Sequence, residues 1–147
     1  MAYIDTAFLT AYATGRGVDL SAYTEVFLRV AIIIGEDYVD SLAPFKAVKT
    51  SPEQATEFPR TGLIVAGYRY ADDEIPTEIK QATAEAAILH LNGEDLLAAQ
   101  TAGVISEKVD VIQINYSGTT SAGQKVFPRI VSLVRPFRRA GELEISR

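Results

Sequence analysis

The chain has 147 residues, of which 48% are hydrophobic and 22% charged, with a formal net charge of −5. That length fits one domain, and so apolar a composition excludes a wholly disordered chain. There is no cysteine and one histidine, His90, which excludes a disulfide framework, a thiolate metal site and a cysteine nucleophile.

The opening Met1-Ala2-Tyr3-Ile4-Asp5 lacks the basic and apolar regions of a secretory signal. The longest aliphatic run, Val30 to Ile34, falls far short of the ~20 residues a membrane span needs. A helix is predicted over 4–14, with Ala7, Phe8, Ala11 and Tyr12 as its apolar stripe and Gly15-Arg16-Gly17 as its stop. A longer helix is predicted over 20–42, capped by Asp19 or Ser21, with Tyr23, Val26, Phe27, Val30, Ile33 and Ile34 at helical spacing. Ile32 widens that stripe, so two buried faces are expected, one within the protomer and one against a partner. Gly35 costs up to ~1 kcal/mol against Ala in a helix and marks close packing or a bend.

Residues 44–74 lack sustained periodicity. A short helical turn over 52–56, capped by Ser51, is expected there, and Leu63 to Tyr70 reads as a loop packing back or a short strand. The clearest helix spans 76–92: Asp72, Asp73 and Glu74 precede Pro76, and Asn92-Gly93 ends it. Its stripe is Ile79, Ala82, Ala86 and Leu89 with Thr83 beside it, and its alanines imply the close approach of another helix. A short helix near 94–100 follows. An extended β segment near 105–117 then alternates Ile112, Ile114 and Tyr116 with polar residues. A helical piece is predicted over 126–134, with Ile130, Val131, Leu133 and Val134 flanked by Pro128 and Pro136, and a charged tail from 138 is expected to be mobile. The predicted fold is mainly α: a small helical bundle with an extended β arm. It forms one domain organised as a helical body (1–104), a β arm and loop (105–123) and a basic C-terminal segment (124–147).

His90 lies late in an alanine-rich helix and reads as a surface or interface histidine. Asp72-Asp73-Glu74 is the one dense acidic cluster, and it suits the positive end of a helix dipole. A metal-dependent enzyme at that cluster is the weakest reading. Nothing singles out a catalytic pair, so neither an enzyme nor a cofactor is expected. The charge is more informative when split by position. Residues 124–147 carry six basic and two acidic residues, a net +4; residues 1–123 carry eight and seventeen, a net −9. Such asymmetry suggests an interacting segment. Its partner is either an acidic protein surface, which the acidic body favours, or nucleic acid with Phe127 and Phe137 as stacking groups.

Several segments occur in a familiar order: Tyr3-Ile4-Asp5-Thr6; Ala31 followed by Tyr38-Val39-Asp40; Gln54 followed by Phe58-Pro59-Arg60 and Gly62; Ile75-Pro76 followed by Ile79-Lys80, Ala82, Glu85 and Ala87; and Ser106-Glu107-Lys108-Val109 leading to Ile114-Asn115-Tyr116. Over roughly residues 3–136 the chain resembles the head–tail connector (adaptor, or head-completion) proteins of tailed bacteriophages. Some members of that family carry the label putative DnaT-like single-stranded-DNA-binding protein. The resemblance implies a structural virion protein, made in the host cytoplasm and placed at the head–tail junction. It would form a ring, usually dodecameric, whose partners are further copies of itself, the portal protein and a tail or tail-terminator protein, with DNA passing through the lumen. The candidate contacts for that role are Phe58, Arg60, Ile112, Ile114, Tyr116, Phe127, Arg129, Arg135, Phe137, Arg138 and Arg139. The alternative is a single-stranded-DNA-binding module that uses the basic C-terminal segment.

Overall fold

The computed structural model describes residues 2–97 and 126–139. The expected β arm, with Ile112, Ile114 and Tyr116, and the end of the expected 94–100 helix lie outside the described residues. The elements run α1 (Thr6–Gly15), α2 (Glu25–Asp40), β1 (Val48–Lys49), β2 (Arg60–Thr61), β3 (Ile64–Val65), β4 (Tyr68–Arg69), α3 (Thr77–Leu91) and α4 (Pro128–Val134), then a 3-10 turn, Arg135–Phe137. The fold is α-rich, as expected, with short antiparallel strands added.

α1 starts two residues later than predicted because Asp5 is extended and its carboxylate caps the Phe8 N–H at 2.8 Å. Its buried face is Leu9, Tyr12 and Ala13, so the predicted stripe is rotated and Ala7 and Ala11 face solvent. α2 also starts later. Asp19 is spent on a turn, accepting from the Ser21 N–H at 2.9 Å, and Thr24 is the true cap.

In α2 the structure decides which of the two expected apolar faces turns into the protomer. Its inward face is Leu28, Ala31, Ile32, Gly35, Tyr38 and Val39, whereas Val26, Phe27, Val30 and Ile33 are 68%, 61%, 43% and 55% exposed. The helix is apolar on both faces, and size decides which turns inward. α2 makes its most extensive contact with α3. A Cβ added at Gly35 would sit 2.8 Å from the Thr83 carbonyl oxygen and 3.1 Å from the Ala87 nitrogen. Only the side carrying Ala31 and Gly35 allows that approach; a face of Val, Ile and Phe would hold the helices apart.

α3 is the central helix and packs against α1, α2 and α4. Being surrounded, it buries small residues on several sides: Ala82, Thr83, Ala84, Ala86 and Ala87, together with Ile79. The Thr83 hydroxyl donates to the Ile79 carbonyl at 2.9 Å, so its burial leaves no lost hydrogen bond. Pro76 sits at the cap rather than inside the first turn. The predicted stop is in place. Gly93 takes a left-handed φ of +100°, and the Glu94 N–H reaches the Leu89 carbonyl at 3.0 Å.

The stretch between α2 and α3 forms two ladders, β1 with β2 (Val48 opposite Thr61, Lys49 opposite Arg60) and β3 with β4 (Ile64 opposite Arg69, Val65 opposite Tyr68). Ala66 and Gly67, at φ +53° and +83°, make the two-residue turn whose twist suits a hairpin. The short helix expected at 52–56 is instead a run of turns. The Gln54 side chain bonds the Ser51 N–H and the Thr56 and Pro59 carbonyls, and so ties the loop across itself.

Candidate nucleic-acid interface

The C-terminal basic segment is docked on the body. Ile130 and Val134 of α4 are buried, and α4 packs on α3. The 3-10 turn drives Phe137 into an aromatic cluster, 6.3 Å from the Phe58 ring and 5.8 Å from Tyr70; Phe58 in turn meets Phe45 at 4.9 Å and Tyr3 at 6.1 Å. Arg138 pairs with Phe45 in an antiparallel bridge. The Lys46 N–H donates to the Phe137 carbonyl at 2.8 Å, and the Arg139 N–H to the Pro44 carbonyl at 3.1 Å. The expectation of a mobile tail from 138 is therefore corrected for Arg138 and Arg139, because the 44–47 loop supplies their backbone partners. Residues 140–147 lie outside the described residues.

Two guanidinium groups converge on the 45–47 carbonyls. Arg60 donates to the carbonyls of Lys46 (2.6 Å), Ala47 (2.8 Å) and Glu57 (2.8 Å), and pairs with the Glu57 carboxylate at 2.9 Å. Arg139 donates to Phe45 O at 2.8 Å and Ala47 O at 3.4 Å. Ala47 has a φ of +68°, the turn that brings successive carbonyls round to both groups. Glu57 neutralises Arg60. Among the described residues, Lys46, Arg135, Arg138 and Arg139 have no carboxylate partner. The Arg138 Nε is moreover buried with no hydrogen-bond partner among them. Arg129 differs: its Nε lies 3.6 Å from Glu85 Oε2, which also accepts from the Tyr12 hydroxyl at 2.6 Å. That triangle joins α1, α3 and α4.

The eleven candidate contacts thus divide. Phe58, Arg60 and Phe137 are buried inside the protomer and have no face to offer a partner. Phe127 is half-buried, with its ring 5.7 Å from Tyr38. Arg129, Arg135 and Arg139 are exposed and Arg138 half-exposed. Ile112, Ile114 and Tyr116 lie outside the described residues. Phe137 is therefore not a stacking group for nucleic acid, because the aromatic core claims it.

Among the described residues two aromatic rings are largely exposed: Phe27 on the outer face of α2 and Tyr68 on the β3–β4 hairpin, and of these only Tyr68 is linked through ring contacts to the C-terminal segment. Tyr68 is 52% exposed, its ring 4.5 Å from Tyr70 at an interplanar angle of 83°. Its hydroxyl is 3.4 Å from both Glu74 carboxylate oxygens. Tyr68-Arg69-Tyr70 alternation after an Ala66-Gly67 turn is the sequence signal for this hairpin, and the lack of a longer period around it hides that signal.

Towards its C-terminal end α2 carries a carboxylate pair, Glu36 and Asp40, one helical turn apart. Asp40 accepts from the Tyr3 hydroxyl at 2.6 Å and from the Glu57 N–H at 3.4 Å; Glu36 accepts from the Tyr3 N–H at 2.5 Å. Burial pushes the Asp40 carboxyl up to about 6 and raises Glu36 as well, while the bonds from Tyr3 pull each back. Among the described residues no group of three or more His, Asp or Glu side chains is arranged to hold a metal ion, Asp72, Asp73 and Glu74 included. No helix among them is long and apolar enough to cross a membrane.

The sequence model of the family described as "Putative DnaT-like ssDNA binding protein" matches residues 2–147. No curated protein and no solved structure was found to match. The family match overturns the expectation of a structural ring bridging portal and tail: it points to single-stranded DNA, and nothing found supports a portal, a tail partner or a ring. Physically, Phe58, Arg60 and Phe137, three of the contacts assigned to that ring, are consumed by the protomer's own core. With the match running over all but the first residue, the chain belongs to the family of putative DnaT-like ssDNA binding proteins.

Proposed function

We propose that this chain is a non-enzymatic single-stranded-DNA-binding module whose phosphate contacts come from Arg135, Arg138 and Arg139, with Lys46 beside them. The observation that carries this reading is the seam between Phe45 and Arg138, which brings Lys46, Arg138 and Arg139 together with no carboxylate partner among the described residues, while Arg135 opens the 3-10 turn that leads into it. Family membership supports it. Arg129 contributes less, because Glu85 already holds it.

A net charge of −5 does not oppose this. At physiological salt a charge is screened beyond ~8 Å, so a phosphate at the seam feels the local cations more than the distant acidic body. The acidic surface elsewhere confines the strand to this edge.

The test is a fluorescence-anisotropy titration of a labelled dT oligonucleotide across a salt series. Three phosphate contacts on a single strand give a slope of about −2 in log K against log salt. Arg135→Ala with Arg138→Ala is expected to flatten that slope while leaving the circular dichroism unchanged. A wild-type protein that fails to bind at low salt removes the reading.

A further inference from the structure

We propose that Tyr68, backed by Tyr70, is the platform on which a base of the bound single strand stacks. The proposal rests on the DNA-binding reading above and adds the group that holds the base.

Tyr68 stands on a hairpin fixed at both ends. The Ala66–Gly67 turn sets the register that places Tyr68 opposite Val65, and the Tyr70 N–H donates to the Leu63 carbonyl at 2.9 Å. Its ring is held edge-on by Tyr70, and Tyr70 rests against Phe137, whose next residues are Arg138 and Arg139. A continuous run of ring contacts therefore leads from the half-exposed Tyr68 to the unneutralised cations. A strand whose phosphates lie at the seam has an aromatic surface within the same patch. Cations tracking the backbone and an aromatic face under the bases are the two parts that sequence-tolerant single-strand recognition needs.

The carboxylates nearby set the direction. Glu74 lies at the Tyr68 hydroxyl, Asp72 and Asp73 precede it in the same loop, and Glu78 in the first turn of α3 helps to raise the Tyr70 hydroxyl. They repel phosphate but not a neutral base, so the backbone turns away from them toward Arg138 and Arg139 with the base over Tyr68. Ile64, also exposed on this hairpin, adds apolar area.

The test uses the full chain and dT12. Tyr68→Ala is expected to weaken dT12 binding about 5- to 100-fold, whereas Tyr68→Phe, which keeps the ring, binds as wild type. The chain has no tryptophan, so Tyr68→Trp installs a sole indole, whose fluorescence is expected to be quenched on adding dT12. An abasic oligonucleotide of the same length is expected to bind wild type and Tyr68→Ala equally. If Tyr68→Ala keeps wild-type affinity for dT12 while Arg138→Ala loses it, the platform is wrong and the phosphate reading stands. If wild type fails to bind dT12 at low salt, both fall.

Discussion

The protomer is held together by two unlike contacts. Between α2 and α3 the helices meet through Ala31, Gly35, Thr83, Ala86 and Ala87, where the absence of side-chain bulk is what matters. At the seam between the 44–47 loop and residues 135–139, bulk and charge matter instead: Phe137 fills an aromatic cluster while arginines grip backbone carbonyls. The first contact gives rigidity and presents nothing to solvent. The second buries Phe137 between the flanking arginines and leaves Arg135 and Arg139 exposed. The seam thus fixes cations that no described carboxylate neutralises: Phe137 is buried, Arg139 is tied to the Phe45 and Ala47 carbonyls and stays exposed, and Arg138 is half-exposed.

The largest expected effect lies at the seam. Phe137→Ala removes a fully buried ring and is expected to cost about 3–5 kcal/mol, read as a lower midpoint in urea; a loss below about 1 kcal/mol would mean that the seam is held by its backbone bonds. Gly35→Ala tests the helix pair. Its methyl meets the Thr83 carbonyl at 2.8 Å, so a net cost of about 1–3 kcal/mol is expected despite the better helix propensity of alanine. A stabilised variant would show that the two helices part easily.

A smaller effect concerns pH. The Asp40 carboxyl is raised to about 6 in the folded chain, above its ordinary value near 3.8, so folding favours its protonated form. Its burial therefore costs stability at neutral pH, and that cost is relieved as pH falls through 6 toward 4; Glu36 is shifted the same way. After allowance for solvent screening the gain is at most about 1 kcal/mol. Thermal melts are expected to show a slightly higher Tm at pH 5 than at pH 7, and Asp40→Asn is expected to reduce that difference. The smallest effect belongs to the outer face of α2. Val26→Ser is expected to change stability by less than about 0.5 kcal/mol, because the side chain is already in water. A larger loss, measured by the same urea melts, would mean that this face is covered in solution.

Local signals made part of this legible. Pro76 and Asn92-Gly93 bracket α3 because capping is decided within one turn, and its alanines announce a crowded neighbour. Gly35 reads in the sequence as close packing or a bend, and the structure decides for close packing against α3. Which of the two apolar faces of α2 meets α3 is not legible in the sequence, because periodicity measures hydrophobicity without asking how near the partner helix must come. Phe137 was read as a stacking group because an Arg-rich segment with two phenylalanines has the composition of a nucleic-acid contact. Its burial follows from Phe45, Phe58 and Tyr70, far away in sequence.

By itself, then, the sequence determined an α-rich chain, the termini of its central helix and an acidic body carrying a +4 C-terminal segment. Each depends on neighbours in the chain or on charge, which is counted without coordinates. Only the tertiary structure decided where that segment lies, which arginines keep their charge unneutralised and which aromatic rings reach the surface. Those outcomes depend on the pairing of Phe45 with Arg138 and of Tyr70 with Phe137. Contacts between parts so distant in sequence leave no period or spacing in it.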